Sequence, residues 1–314
     1  MEINFHLPNF TELMKFNLVF SEMHRGANHY FREGVKIASL FGVFPPAIWN
    51  GGRFQYMQCD RNYVKQALAI FDARKMPLRF TFTNPMLEEK HLSDDFCNFI
   101  MKTADNGINE VIVVSELLED YIRKNYPRYK ITSSTCKRIT TVEGLNAELA
   151  KDYNLVVADY DLNNDFAALE KVTDKGRCEI LINAICDPRC KNRRKHYDCI
   201  GLMQIEFNEH LKKKPNKPQE FEFRNADYDK IKNCPCMTKG GFYQNKGNTS
   251  NLSVEDLYEK YVPMGFRHFK IEGRSSHFLN LMETYLYYMV KAECRDEARY
   301  ALMIMLKEHG LMQF

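Results

Sequence analysis

Short runs of apolar and β-branched residues recur along the chain, at 3–8, 35–42, 78–83, 110–115, 130–135, 154–159, 179–184 and 268–273. Most have continuously apolar cores, such as Val111 to Val114 and Leu155 to Val157. Strands covered on both faces read this way. Between the runs the spacing changes to that of a helix. Residues 61–74 put Val64, Ala67, Leu68 and Phe71 on one face, and residues 94–104 do the same with Phe96, Phe99 and Ile100. Residues 142–151 and 165–172 read as shorter helices. Eight strand–helix units predict an α/β fold, a (β/α)8 TIM-like barrel rather than an open doubly wound sheet. The whole chain, 1–314, reads as a single barrel domain, with a C-terminal helix from about 276 to 308 that could break once.

The intervals between strands are uneven. The one from 179 to 268 is more than twice any other, which predicts an insertion between strands seven and eight, at about 185–265. Within it, residues 212–219 are rich in Lys and Pro and read as a surface loop. Residues 239–251 are rich in Gly and Asn. The rest carries cysteines.

The cysteines change the picture. Five of the ten lie at 186, 190, 199, 234 and 236. Thiolates bind soft metals and clusters, and a cluster needs several sulfurs converging from short loops. The C-x3-C-x8-C spacing, with a later cysteine, meets that need just after strand seven. Loops at that end of a barrel build active sites. Zinc knots favour C-x2-C pairs, which are absent, so an iron–sulfur centre is the first expectation and zinc the alternative. Among the scattered cysteines, Cys97 reads as core filling, and Cys136, ending the fifth strand, could face the mouth.

Composition supports a soluble globular protein: 45% hydrophobic and 27% charged residues, with a net charge of +3. That mild charge neither demands RNA nor excludes it. The start, MEINFHLPNF, lacks the basic and apolar regions of a signal peptide, and no run approaches eighteen apolar residues. A cytoplasmic protein without membrane contact is expected. Its thiols should stay reduced, which favours metal ligation or burial over disulfides.

Other residues suggest anion binding. Arg189, Lys191, Arg193, Arg194 and Lys195 run up to His196. Lys191 and Lys195 read as solvated. Arg193 could clamp a carboxylate or phosphate, and His196 could move a proton. At the eighth strand, alternation sends Lys270 and Glu272 to one face, where each would need the other if buried. Arg274 follows at the mouth. Asn84, Ser115, Glu116, Ser133, Ser134, Asp159 and Asp161 end other strands. Trp49, beside Gly51, Gly52, Arg53 and Tyr56, suits a planar or anionic ligand.

The string Asn183-x2-Cys186-x3-Cys190-x2-Arg193-x2-His196, a later cysteine, and then Gly265 through Phe-Lys-Ile-Glu-Gly-Arg274 resemble the collagenase-like peptidase family U-32. The likeness is strongest from about 154 onward. It implies a barrel with a 4Fe–4S cluster on Cys186, Cys190, Cys199 and either Cys236 or Cys234. Family members hydroxylate ubiquinone precursors, or pyrimidines in tRNA and rRNA, without dioxygen and with a prephenate-like oxygen donor. The resemblance therefore implies an anaerobic, hydroxylase-type oxidoreductase using a small-molecule substrate and a prephenate-like oxygen donor. Arg193, His196, Glu272 and Arg274 would be its catalytic residues. Two features depart from the family: Asn183-Ala184 replace a His-Gly pair, and the chain ends soon after the barrel. A small substrate or a partner subunit is then expected. Two alternatives stay open. One is a metal-dependent hydrolase with zinc and a base among Glu272, Asp159 and His196, although no Ser–His–Asp or HExxH pattern supports hydrolysis. The other is a non-catalytic, metal-stabilised barrel, whose mouth should lack converging polar groups.

Overall fold

Eight parallel strands close a barrel in chain order. They are β1 (Ile3–Pro8), β2 (Val35–Gly42), β3 (Leu78–Phe82), β4 (Glu110–Val113), β5 (Lys130–Ser133), β6 (Leu155–Val157), β7 (Cys178–Leu181) and β8 (His268–Lys270). The computed structural model describes residues 1–234 and 241–313. Closure comes from β8 pairing back onto β1, with Phe269 opposite Phe5. The fold is the (β/α)8 barrel that the strand rhythm predicts. Six of the eight expected runs extend past their strands at the C-terminal end. The extra residues, such as Thr83, Thr135 and Asp159, leave the sheet and shape the barrel mouth.

The helices between strands start where polar side chains can hold their first N–H groups. Asp60 accepts from Tyr63 N at the head of Arg61–Asp72, Asp94 from Cys97 N at Asp95–Thr103, Ser115 from Leu118 N at Glu116–Asn125, and Thr141 from Gly144 N at Val142–Leu149. The Arg61–Asp72 helix buries Val64, Ala67, Leu68 and Phe71, the face expected from spacing. Outward-facing Phe5, Phe80, Val111, Val113, Ile131, Val156, Ile180 and Phe269 meet these helices in one apolar cluster.

Inside the barrel the chemistry is different. One layer consists of His6, Arg79, Thr132 and Glu179, one from each odd-numbered strand. Layers drawn from alternate strands are usual in this fold, but branched aliphatics normally fill them. Here Arg79 Nη1 lies 2.5 Å from Glu179 Oε2, and Arg79 Nη2 donates to Thr132 Oγ1 at 3.0 Å. His6 Nε2 lies 3.5 Å from the same Glu179 oxygen, and its Nδ1 pairs with Ser39 Oγ at 2.7 Å. Burial favours a neutral Glu179, but Arg79, Lys270 and His6 outweigh it and hold the carboxylate well below its ordinary pKa.

Residues 182–267 separate β7 from β8. Lys191 and Lys195 are exposed, as expected, but the basic run is not all loop. It opens a 21-residue helix, Arg193–Lys213. Its buried face, Tyr197, Ile200, Gln204, Phe207 and Leu211, has helical spacing that the charges at 193–195 disguise. The helix also takes in Lys212 and Lys213, so the Lys/Pro-rich loop starts later than expected. The expected C-terminal helix is two, Phe278–Met289 and Arg295–Glu308. Among the described residues, no helix is long and apolar enough to cross a membrane.

Candidate functional site

The loops after β2, β3, β5 and β8 enclose a cavity of about 70 Å³ at the C-terminal end of the barrel. One water needs roughly 10–15 Å³ on this measure, so the space suits a small molecule. Arg53, Lys270 and Arg274 bring three cationic side chains to its wall.

Each cation is held differently. Arg274 Nη1 donates to Asn50 Oδ1 at 3.0 Å and to Thr81 Oγ1 at 2.9 Å, while Nη2 donates to the Gly51 carbonyl at 2.9 Å. All three acceptors are neutral. Burial and the charge of Arg53 lower its pKa to about 10. Arg53 is paired with Glu272, which keeps its guanidinium charged. Glu272 is fixed in turn. Its second oxygen accepts from Ile185 N at 2.9 Å, and its backbone is bracketed by the Asn183 amide at 2.7 and 3.0 Å. Lys270 reaches down to Glu179, with Nζ 3.5 Å from Oε1.

The loop after β2 fits only because of two glycines. A Cβ on Gly51 would collide with the Thr83 carbonyl. Gly52 has φ +71°, and a Cβ there would crowd Arg274 Nη2 at 3.0 Å and Cys136 Sγ at 3.3 Å. Cys136 therefore faces the mouth beside Arg274. Burial raises its thiol pKa, opposed by a hydrogen bond with Ser134 and by Arg274, Lys270 and Arg53. Thr83 Oγ1, also on the wall, is buried with no hydrogen-bond partner.

The other expected site residues lie around this cavity. Arg193 is turned away from it. Its Nη2 bonds Asp159 Oδ1 at 2.8 Å and Asp161 Oδ2 at 2.5 Å, and its guanidinium lies 4.0 Å from the centre of the Tyr160 ring. With its charge met by two carboxylates, it is a brace rather than the open anion clamp expected. His196 is half-buried on the same helix, and burial together with the charge of Arg53 lowers its pKa. Cys190 neighbours Cys186 and Cys234, whose charges would raise its thiol pKa further after burial has done so. Cys199 instead contacts Asn225, with Sγ 3.9 Å from Oδ1, and its charged neighbours are Asp227, Asp198 and Lys195. Cys236 lies outside the described residues. Among the described residues, no group of three or more His, Cys, Asp or Glu side chains is placed to hold a metal ion.

Several expectations need correction. Lys270 and Glu272 do not pair with each other; they take Glu179 and Arg53 as partners. Trp49 is no ligand platform: it is fully buried, stacks edge-on against Phe82 and Tyr121, and donates Nε1 to the His91 carbonyl at 2.8 Å. Asn84 spends its amide on the Ile48 and Gly201 carbonyls, and Ser133 bonds Glu148 at 2.6 Å. Sequence reasoning passed over Arg79, Glu179 and His6. The available signal was a charged residue inside each of two mostly apolar strands, Arg79 in β3 and Glu179 in β7.

No protein-family model matches the chain, and no curated protein matches it. Among solved structures, the U32 peptidase Mk0906 is similar at 12% identity and a TM-score of 0.48, over 74% of this chain and 84% of that one.

Proposed function

We infer that the protein is an enzyme that binds a small organic carboxylate at the mouth of its barrel. One observation carries this reading. Arg274 is a half-buried guanidinium bonded only to neutral acceptors, between Arg53 and Lys270. The wall is short of negative charge, and a carboxylate matches a guanidinium in shape as well as sign. The unpartnered hydroxyl of Thr83 offers a further contact. Converging polar groups at this end of a barrel favour catalysis over a purely structural role. A zinc hydrolase is less well supported, since two of its candidate bases, Asp159 and Glu272, are tied to arginines.

Calorimetric titration with acetate, lactate, pyruvate and succinate tests the reading. At least one should bind saturably, while the matching neutral amide does not. Arg274→Met should weaken binding about 10–100-fold, the loss of hydrogen bonds to a charged group worth roughly 1.5–3 kcal/mol. If carboxylates bind the native protein no better than amides, the reading falls.

An iron–sulfur hydroxylase is a second reading. The proximity of Cys186, Cys190 and Cys234, with Cys236 two residues on, favours it. Anaerobically purified or reconstituted protein should then hold iron and acid-labile sulfide together, lost on changing Cys190 to Ala. Iron-free protein after reconstitution would end that reading.

A further inference from the structure

Lys270 stands at the floor of the cavity, and carboxylate binding alone gives it no task. Its Nζ lies 3.5 Å from Glu179 Oε1 and 4.3 Å from the centre of the Phe41 ring. Glu179 is not a private counter-ion. Its other oxygen is taken by Arg79 at 2.5 Å and approached by His6 at 3.5 Å. Above Lys270 lie Arg274 and the thiol of Cys136. Burial, Arg79 and Arg274 outweigh Glu179 and Cys136, and bring the amine down to about 8. An ordinary lysine titrates at about 10.4, so this amine is neutral more often at pH 7. A partly neutral amine, held out of water beside another cation, is a nucleophile.

We propose that Lys270 condenses with the carbonyl carbon of a small oxo acid whose carboxylate rests on Arg274, forming a protonated imine. The proposal rests on the carboxylate reading and adds the substrate class and a covalent step. The ammonium form of Lys270 and the carbonyl give the iminium and one water. The C–N bond forms, and two protons of the ammonium leave with the carbonyl oxygen. No oxidant or reductant is needed. The charge beside Glu179 is unchanged, because one cation replaces another. That separates Lys270 from Cys136, the other nucleophile on the wall, whose attack would require a thiolate that burial disfavours. The cavity of about 70 Å³ and the unpartnered Thr83 hydroxyl fit a ligand of few heavy atoms with a polar group to spare. An iminium draws electrons from the adjacent carbon, which activates it for proton loss or bond cleavage.

Reductive trapping tests this directly. The full chain is incubated with glyoxylate or pyruvate and cyanoborohydride, digested, and mapped by mass spectrometry. Lys270 should carry the reduced adduct well ahead of the surface lysines. Lactate, which has no keto or aldehyde group, should compete. Arg274→Met should slow labelling about 10–100-fold, in step with its loss of binding. Lys270→Arg keeps a cation beside Glu179, so the fold survives, and should abolish the adduct at this position. Absence of an adduct at Lys270, or labelling no faster than at surface lysines, overturns the proposal. Titrating the four carboxylates and their amides into the same preparation separates the failures: if any carboxylate binds better than its amide, only the covalent step is wrong; if none does, the carboxylate reading falls too.

Discussion

Arg79→Met should destabilise the barrel by about 3–5 kcal/mol, the usual cost of stranding one member of a buried ion pair. Arg79 and Glu179 are both essentially inaccessible to solvent, at 1% and 0% side-chain exposure. Removing the guanidinium leaves Glu179 with Lys270 and His6, each 3.5 Å away, and leaves Thr132 without its donor. A domain's whole stability is about 5–15 kcal/mol, so urea unfolding should show a large drop in midpoint. Arg79→Met with Glu179→Leu should recover only part of it, because apolar side chains replace the pair but Lys270 and Glu110 each lose a partner. The recovered protein should still be impaired at the mouth, since Lys270 loses its carboxylate. A drop below about 1 kcal/mol in the single variant would mean that the charged layer does not brace the barrel.

The barrel was legible because each strand has to be apolar on the side facing the helices, whatever its inward side carries. Runs such as 35–42 and 3–8 coincide with β2 and β1 to the residue. Strand ends were harder to read. Residues 83, 115, 135 and 159 follow their strands with no glycine or proline to mark the end, yet their backbones have left the sheet. The Arg193–Lys213 helix was hidden for another reason. Its first turn is charged, and Arg193 is buried only because Asp159 and Asp161 come from a distant loop to meet it. No local pattern contains that partner.

The same limit applies to the site. Arg274 and Cys136 could be placed at the mouth because each closely follows a strand end, and Arg53 because it lies in the loop after β2. Their partners could not. Lys270 and Glu272 are two residues apart, and alternation suggested that they would pair. The Arg53 loop comes over to Glu272 because Gly51 and Gly52 let it pack on Thr83, while Glu179 meets Lys270 from the neighbouring strand β7. A more careful use of the rule about buried charges would have found the interior layer. An Arg in the middle of β3 and a Glu in the middle of β7 cannot both be buried unless they meet.

Arg193→Met is the second change expected to have a large effect, again about 3–5 kcal/mol at neutral pH. The side chain is 1% exposed and joins two carboxylates that otherwise face each other, Asp159 and Asp161. Asp161 Oδ1 also accepts from Arg189 N at 2.7 Å, so the brace ties the Cys190 turn to the loop after β6. The pH dependence has a definite sign. Burial already raises the pKa of Asp159, and Arg193 is the main group opposing it. Without Arg193 that pKa rises further above the unfolded value of about 3.9. A carboxyl with a raised folded pKa is destabilising when ionised, and the penalty disappears as acid protonates it. The gap in urea midpoint between native and Arg193→Met protein should therefore narrow from pH 7 to pH 5. Adding Asp159→Asn should narrow it at pH 7 as well, because the stranded charge is then gone. A gap that stays constant with pH would place the cost in lost packing against Tyr160 rather than in the two carboxylates. Arg193 would then hold the cysteine loop by its shape rather than by its charge.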